Sequence, residues 1–479
     1  MQSGKIIVAL LFALCTHSAF SQIAEVRTYG FSGGEERAKE IIQTSDGGYA
    51  FIGTTNANDG WNTDIVFYKL DADLNVVWNK VYGFEGIDHG ISLVQKMDGG
   101  YYFLSTTLST ENAYDLQLFS IDAQGELIQT LNLGSSDWDF AIKLKTLLDG
   151  GLLILGETYA VPGNDKDVYV HCLNADLSTR WQQNLGGSEE DMAADVEQAG
   201  DGILYVLGST LVSELPETYT FHYWKLNPDG SVIWDLLLSI SGSYHARGLA
   251  TMANGFVATG HEITSQGNDK FILRIDNDGN VVWDRHYPLE GNQSMADIIV
   301  LPDLGFGLTG ESSTFGSGGW GIYTMEADGN GIWVAAYVFG GTEDEFGYSL
   351  ILDDQLRITL VGESNSFSDE SIECYLARLP GDVLASDYEL DYGHFQENSF
   401  TGIADAQKLN SCEITISDTF DPAMYWSNAW LQLYDISGRM IWTGSAGNLA
   451  VQLLTPGWYF IRWEDNEQSG ICRLFKYGE

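Results

Sequence analysis

The sequence predicts an all-β protein: a seven-bladed β-propeller followed by a small C-terminal β-sandwich. Three observations carry this reading. An apolar motif closed by a small residue recurs seven times, each interval holds four short strand-like runs with no helical period between them, and the pattern gives way near residue 380 to a different alternation. Four strands in each unit of about 50 residues is the arithmetic of a propeller blade, whereas a parallel α/β sheet needs amphipathic helices between its strands.

The repeat is clearest as DGGYAFIG at 46–53. It returns as DGGYYFLS (98–105), DGGLLILG (149–156), GDGILYVLG (200–208), NGFVATG (254–260), LGFGLTG (304–310) and QLRITLVG (355–362). The closing residues Gly53, Ser105, Gly156, Gly208, Gly260, Gly310 and Gly362 stand 52, 51, 52, 52, 50 and 52 positions apart. In the first copy, strands are expected at 38–44, 49–55, 64–71 and 76–83, each rich in β-branched and aromatic residues and bounded by Gly, Asp or Asn. The fourth runs carry Trp78, Trp181, Trp234, Trp283 and Trp333. These rings are expected to pack between neighbouring blades, burying roughly 150–250 Å² each.

The last copy supplies three strands, at 347–353, 356–362 and 372–379, and its fourth is degenerate. At the other end, IAEVRTYG at 23–30 reads as a fourth strand that has no first three of its own. Placing it beside the last copy closes the ring and removes an open sheet edge. The propeller is therefore assigned to 22–385, with 23–30 completing the last blade.

Residues 1–21 read as a signal peptide. Lys5 supplies the positive start, a ten-residue apolar run follows, and Ala19-Phe20-Ser21 offers a small-x-small cleavage site. The run is too short to span a bilayer and no second one follows, so no transmembrane segment is expected. The chain carries 67 acidic and 23 basic residues, a net charge of −44. That balance argues against nucleic acid and against anionic membranes as partners, and it suits solubility outside the cell. Cys172 and Cys374 fall in distant repeats and read as lone buried thiols, while Cys412 and Cys472 are a candidate disulfide in an exported protein. No CxxC pair or His-rich cluster indicates a metal site, and no cofactor is expected beyond a possible calcium ion.

Two polar positions recur with the blades. The hairpins before the fourth strands read DADLN (71–75), NADLS (174–178), NPDGS (227–231), DNDGN (276–280) and EADGN (326–330). Alternating carboxylates and amides suit calcium, and the same residues are what tight turns require. The second set stands two residues before the small residue opening each first strand: Glu36, Asp88, Asp139, Asp191, Tyr244, Ser294 and Glu345. First strands line a propeller's channel. Glu36, Asp88, Asp139, Asp191 and Glu345 are therefore candidates to ring one mouth and hold a cation or a polyhydroxy ligand, or else to cap backbone N–H groups in their own loops. His89 and His245 follow one position on, too isolated to mark catalysis. No Ser-His-Asp order, HExxH, GxSxG or phosphate loop appears.

Beyond a polar linker at 386–402, residues 403–479 form a module of their own, with strand-like runs at 412–418, 431–444, 448–454, 457–465 and 471–478. LYDISGRMIW, then LLTPGWYFIRW, then RLFKYG resembles the type A sorting domain of the type IX secretion system of Bacteroidetes. The matching positions are Asp435, Gly438, Arg439, Leu454, Gly457, Tyr459, Phe460 and Lys476, and the Asn-Pro pair usual at the start of that domain is missing near 408–413. The repeats resemble the DGGY-type propellers common in such cargo. The resemblance implies a route through the periplasm to the outer cell surface or the exterior, with the type IX machinery as a partner and the C-terminal module as the address. Beside a purely structural role in the cell envelope, it leaves two readings for the propeller. One is a binding or adhesion module for a glycan or protein. The other is a secreted polysaccharide hydrolase or lyase using the channel-mouth carboxylates.

Overall fold

A computed structural model describes residues 25–379, apart from 32–33, 58–61, 85, 109–112, 136, 160–164, 289–290, 315–318 and 368–370, together with the backbone of five strands between 412 and 476. Seven four-stranded antiparallel sheets follow one another in the chain. Their innermost strands are Glu36–Gln43, Asp88–Gln95, Asp139–Thr146, Asp191–Gln198, Ser243–Met252, Gln293–Val300 and Glu345–Leu352, which number the blades one to seven. Within a blade each strand pairs with the next in sequence, so short hairpins make every connection. Blade seven differs. Its strands Glu345–Leu352, Ile358–Ser364 and Glu373–Arg378 are completed by Glu25–Tyr29, which pairs antiparallel with the third, Glu25 opposite Arg378 and Tyr29 opposite Cys374. Glu25 and Arg378 also join through their side chains, and the Tyr29 hydroxyl donates to the carbonyl of Leu74 in blade one at 2.8 Å.

The apolar interior is seven layers, one at each blade interface. Ile52, Phe67, Phe103 and Phe119 pack blade one on two, and Leu155, Val170, Val206 and Trp224 pack three on four. Tyr29, Phe51, Tyr68 and Leu376 pack seven on one, so the closing strand is held by a core as well as by a ladder. Cys172 and Cys374 are free thiols buried in two of these layers. The fourth-strand tryptophans are half-buried, and Trp78, Trp181, Trp234 and Trp283 lie under the next blade's turn. Gly125, Gly230 and Gly331 hold positive φ in those turns, and a Cβ there would meet Trp78, Trp181 and Trp283 at 3.0, 2.8 and 2.8 Å. Glycine at these positions serves both the left-handed backbone and the close approach of a ring.

At the C-terminus, Cys412–Ile416, Trp430–Asp435, Met440–Ser445, Gly457–Glu464 and Ser469–Lys476 form one five-stranded sheet. The first strand runs parallel to the last, and the other pairings are antiparallel. A sandwich was expected here, but the described strands belong to a single sheet, and the run at 448–454 lies outside the described residues, as do the signal peptide and the 386–402 linker.

Candidate functional site

Each innermost strand carries the same irregularity. Its pairing with the second strand skips one residue, between Ala38 and Glu40 in blade one and at the equivalent place in the other six. A bulged residue has no ladder partner, and its side chain is re-aimed. Here the skipped residues are Lys39, Ile91, Ile142, Ala194, Arg247, Ala296 and Tyr348, and all seven line one central cavity of about 650 Å³. The rest of the lining comes from the opening halves of first strands, the closing halves of second strands (Thr106, Glu157 and Glu311) and the start of a third strand at Tyr114. The cavity therefore lies toward the face on which first strands begin.

In four blades the residue after the bulge accepts a bond from the next blade and ties the two together. Glu40 accepts the Ser92 hydroxyl at 2.5 Å and the Leu93 N–H at 2.8 Å, and Ser92 accepts the Leu144 N–H at 2.9 Å. Asp195 accepts from Leu249 at 2.9 Å and Asp297 from Leu350 at 3.1 Å. Each acceptor takes a backbone N–H of the next blade, a bond that fixes the width of the ring. Sequence reasoning missed these positions. They lie four residues beyond the recurrent acids, and extending the same register that far would have revealed a second polar set.

The cavity's acids already have partners. Lys143 pairs with Glu40 at 2.6 Å; although burial acts to raise the Glu40 carboxyl, Lys143 and Lys145 hold it below its ordinary range. Glu157 pairs with Lys166 at 3.3 Å and accepts the Ala193 N–H at 3.0 Å. Asp195 and Asp297 each accept a second N–H, from Val196 at 2.8 Å and Ile298 at 2.9 Å. Burial lifts Glu311 to about 7, against the opposing pull of Arg247, a bond to the Ser294 hydroxyl, and Lys39. Burial, then Arg247 and His245, push His261 down to about 3, so its ring is neutral where Nδ1 meets Ser294 Oγ at 3.1 Å.

The cations divide differently. Lys143 is paired, but neither Lys39 nor Arg247 makes an ion pair within 4 Å with any described residue, and both side chains are solvent-accessible. Lys39 Nζ sits 4.6 Å from the centre of the Tyr348 ring. Enclosure by the ring, then the nearby Arg247 and Lys143 cations, lower its pKa. Between blades two and three the wall is aromatic: Tyr114 and Phe140 line the cavity 5.3 Å apart, and Trp138, 48% exposed, stands edge-on to Tyr114 at 5.7 Å.

The five acids singled out from the sequence are placed elsewhere. Glu36, Asp88, Asp139, Asp191 and Glu345 begin their strands fully buried, and none lines the cavity. Asp88 accepts the Phe84 N–H at 2.7 Å, Asp139 the Ser135 hydroxyl at 2.8 Å, Asp191 the Gly187 N–H at 2.8 Å and Glu345 the Gly341 N–H at 2.9 Å. Their other oxygens face hydroxyls on the neighbouring strand: Thr55 donates to Glu36 at 2.7 Å, Ser364 to Glu345 at 2.8 Å, and Thr210 to Asp191. Burial raises the pKa of Glu36, Asp88 and Glu345. The arrangement is that of loop caps. In blade six Met295, not Ala296, stands opposite Gly310, so Gln293 occupies the equivalent position and Ser294 turns to the cavity instead.

The hairpin carboxylates are likewise engaged in their own turns: Asp71 accepts N–H bonds from Asp73 and Asn75 at 2.9 and 2.8 Å, and Asp276 repeats this with Asp278 and Asn280. His89 lines the cavity and approaches Thr54 at 3.4 Å, and His245 stacks on His261 at 5.3 Å. In the C-terminal sheet the backbone register sets Asp435 opposite Tyr459, Gly457 opposite Lys476 and Cys412 opposite Cys472, whereas Gly438 and Arg439 lie outside the described residues. Among the described residues no helix is long and apolar enough to cross a membrane.

No family model matches the chain, and no curated protein matches its sequence. Solved structures do resemble it. Semaphorin 2a of Drosophila is 9% identical, with 95% of this chain and 98% of that one covered and a TM-score of 0.49. A protein of unknown function from Dyadobacter fermentans is 15% identical, with 74% and 98% covered and a TM-score of 0.44. The β-propeller domain of the Trilobed protease from Pyrococcus furiosus is 9% identical, with 75% and 100% covered and a TM-score of 0.44.

Proposed function

We propose that this chain is an exported propeller that binds a glycan in its central cavity, carried to the cell surface by its C-terminal module. The cavity carries the reading. Its volume falls within the range of about 300–1,000 Å³ typical of small-ligand sites, it is framed by all seven blades, and one wall offers Tyr114 and Phe140 beside an exposed Trp138. Flat aromatic faces receive the C–H-bearing face of a sugar ring while polar groups around them take its hydroxyls. The competing hydrolase or lyase reading relied on the recurrent channel-mouth acids, and it loses support because those acids cap their own loops. The test is direct. Trp138→Ala and Phe140→Ala should each weaken oligosaccharide binding about fivefold or more, since one stacked aromatic contributes on the order of 1 kcal/mol beyond its buried area. Oligosaccharide affinity that ignores both changes would refute the cavity as the site.

Export rests on the signal-like N-terminus and on the resemblance of 403–479 to a type IX sorting domain. Its support is that four of the motif positions, Asp435, Tyr459, Gly457 and Lys476, fall in register across neighbouring strands. Surface display should be lost when 403–479 is deleted. Equal display of both forms, measured by cell fractionation, would refute the address.

A further inference from the structure

We infer that the glycan is acidic: the cavity is built for a sugar bearing a carboxylate, which Lys39 and Arg247 bind together. The inference rests on the glycan-binding reading above and names the class of sugar. It comes from the charge balance inside the ring. Glu40 and Glu157 are matched by lysines, while Asp195 and Asp297 spend their oxygens on backbone N–H groups. Lys39 and Arg247 make no ion pair within 4 Å with any described residue, and Glu311, the cavity acid whose charge acts on both, is raised by burial to about 7 and so is only partly ionised at neutral pH. The two cations are 2 of only 23 basic residues in a chain of net charge −44, and both occupy bulge positions, where the fold directs a side chain at the cavity. Nothing in the ring's construction requires a charge there, since Ile91, Ile142, Ala194 and Ala296 fill the same position in other blades.

The geometry suits a uronate. Arg247 offers a planar fork that matches a carboxylate, and Lys39 adds a compact charge held over the Tyr348 ring. The two come from blades five and one and sense each other's charge. A ligand carboxylate placed between them offsets the repulsion of the two like charges. The aromatic wall of blades two and three is left for the sugar ring. The acidic surface does not forbid this. Exposed charges are screened beyond a Debye length of about 8 Å at physiological salt, so the local cations decide.

The test uses the whole chain and matched probes: trisaccharides of galacturonate, mannuronate and guluronate, and the same trisaccharides with their carboxylates reduced to primary alcohols. At least one uronate should bind about tenfold or more tightly than its reduced form, as expected for charge-assisted bonds. Lys39→Gln and Arg247→Gln should each remove about tenfold of that affinity, leave the reduced trisaccharide unaffected and leave the melting temperature in place. Equal binding of acidic and reduced forms, or uronate affinity that survives both substitutions, overturns the inference while the glycan reading stands. Binding of neither form at any concentration overturns both.

Discussion

Two positions on the same seven strands, three residues apart, behave in opposite ways. At the first stand Glu36, Asp88, Asp139, Asp191, Tyr244, Gln293 and Glu345, mostly acids, all buried and bonded within their own loops and strands. At the second stand Lys39, Ile91, Ile142, Ala194, Arg247, Ala296 and Tyr348, which share no chemistry yet all reach the cavity. The repeated residue solves a problem every blade has, namely how to hold the loop that enters it. The varied residue sits where no blade needs anything in particular, and there the chain is free to specialise. In a repeat protein, recurrence points to construction, and departure from recurrence points to the ligand.

The largest expected effect breaks both positions at once. Removing residues 23–30 deletes the strand paired to Glu373–Arg378 and the Tyr29 contact with blade one, so the seam across which Lys39 and Tyr348 meet comes open. The truncated chain should lose its cooperative melt, and one that melts like the intact protein would show that the ring does not depend on its closure.

Next comes the layer between the two positions. Lys143→Met strands Glu40 without its counter-ion inside the ring. Breaking one half of a buried pair costs about 3–5 kcal/mol, read as a drop in denaturation midpoint, and Glu40→Gln in the same chain should restore part of it. Smaller is the loss at a cap. Asp139→Ala leaves the Ser135 N–H and hydroxyl unpaired and should cost about 2 kcal/mol, with the cavity intact.

The smallest effect is a pH dependence of binding. Glu311, raised to about 7, faces Arg247, Lys39 and the Ser294 hydroxyl, with neutral His261 behind that hydroxyl. Below pH 7 it is mostly protonated, and above it mostly ionised and competing for the same two cations. Uronate affinity should therefore rise severalfold as pH falls from about 8 to about 6, the ligand itself staying ionised throughout, as its carboxyl titrates near that of an ordinary carboxylic acid, at about 3.5. Glu311→Gln should flatten the profile, which separates this carboxyl from Lys39, whose lowered pKa acts in the same direction. Stability follows the same sign: a carboxyl whose folded pKa is raised takes up a proton on folding, so its contribution falls as pH climbs toward and through 7.

Much of the propeller was legible. The closing residues from Gly53 to Gly362 keep a nearly constant interval, and each marks a second strand in the register of its blade. The tryptophans announced the blade interfaces because a large ring beside a turn glycine has few other uses. The site was not legible, for a specific reason. Alternation along 36–43 leaves Lys39 exposed like Arg37, but only the bulge aims it at the cavity, and nothing in the residue types marks the bulge itself. The acids at Glu36 and its equivalents drew notice through repetition, which here signals a capping role. In blade six the repeat points to Ser294 instead of Gln293 because Met295 fills a place that Ala or Gly holds in the other six blades.

The account's central claim, that the capping position builds the ring and the bulge position binds, is tested most directly by one paired measurement. Asp139→Ala and Arg247→Gln are each melted, and each is titrated with the uronate trisaccharide. The account predicts that Asp139→Ala lowers the melting temperature by several degrees and keeps the affinity, while Arg247→Gln keeps the melting temperature and loses about tenfold in affinity. If the two substitutions move the same readout, the division between the positions is contradicted.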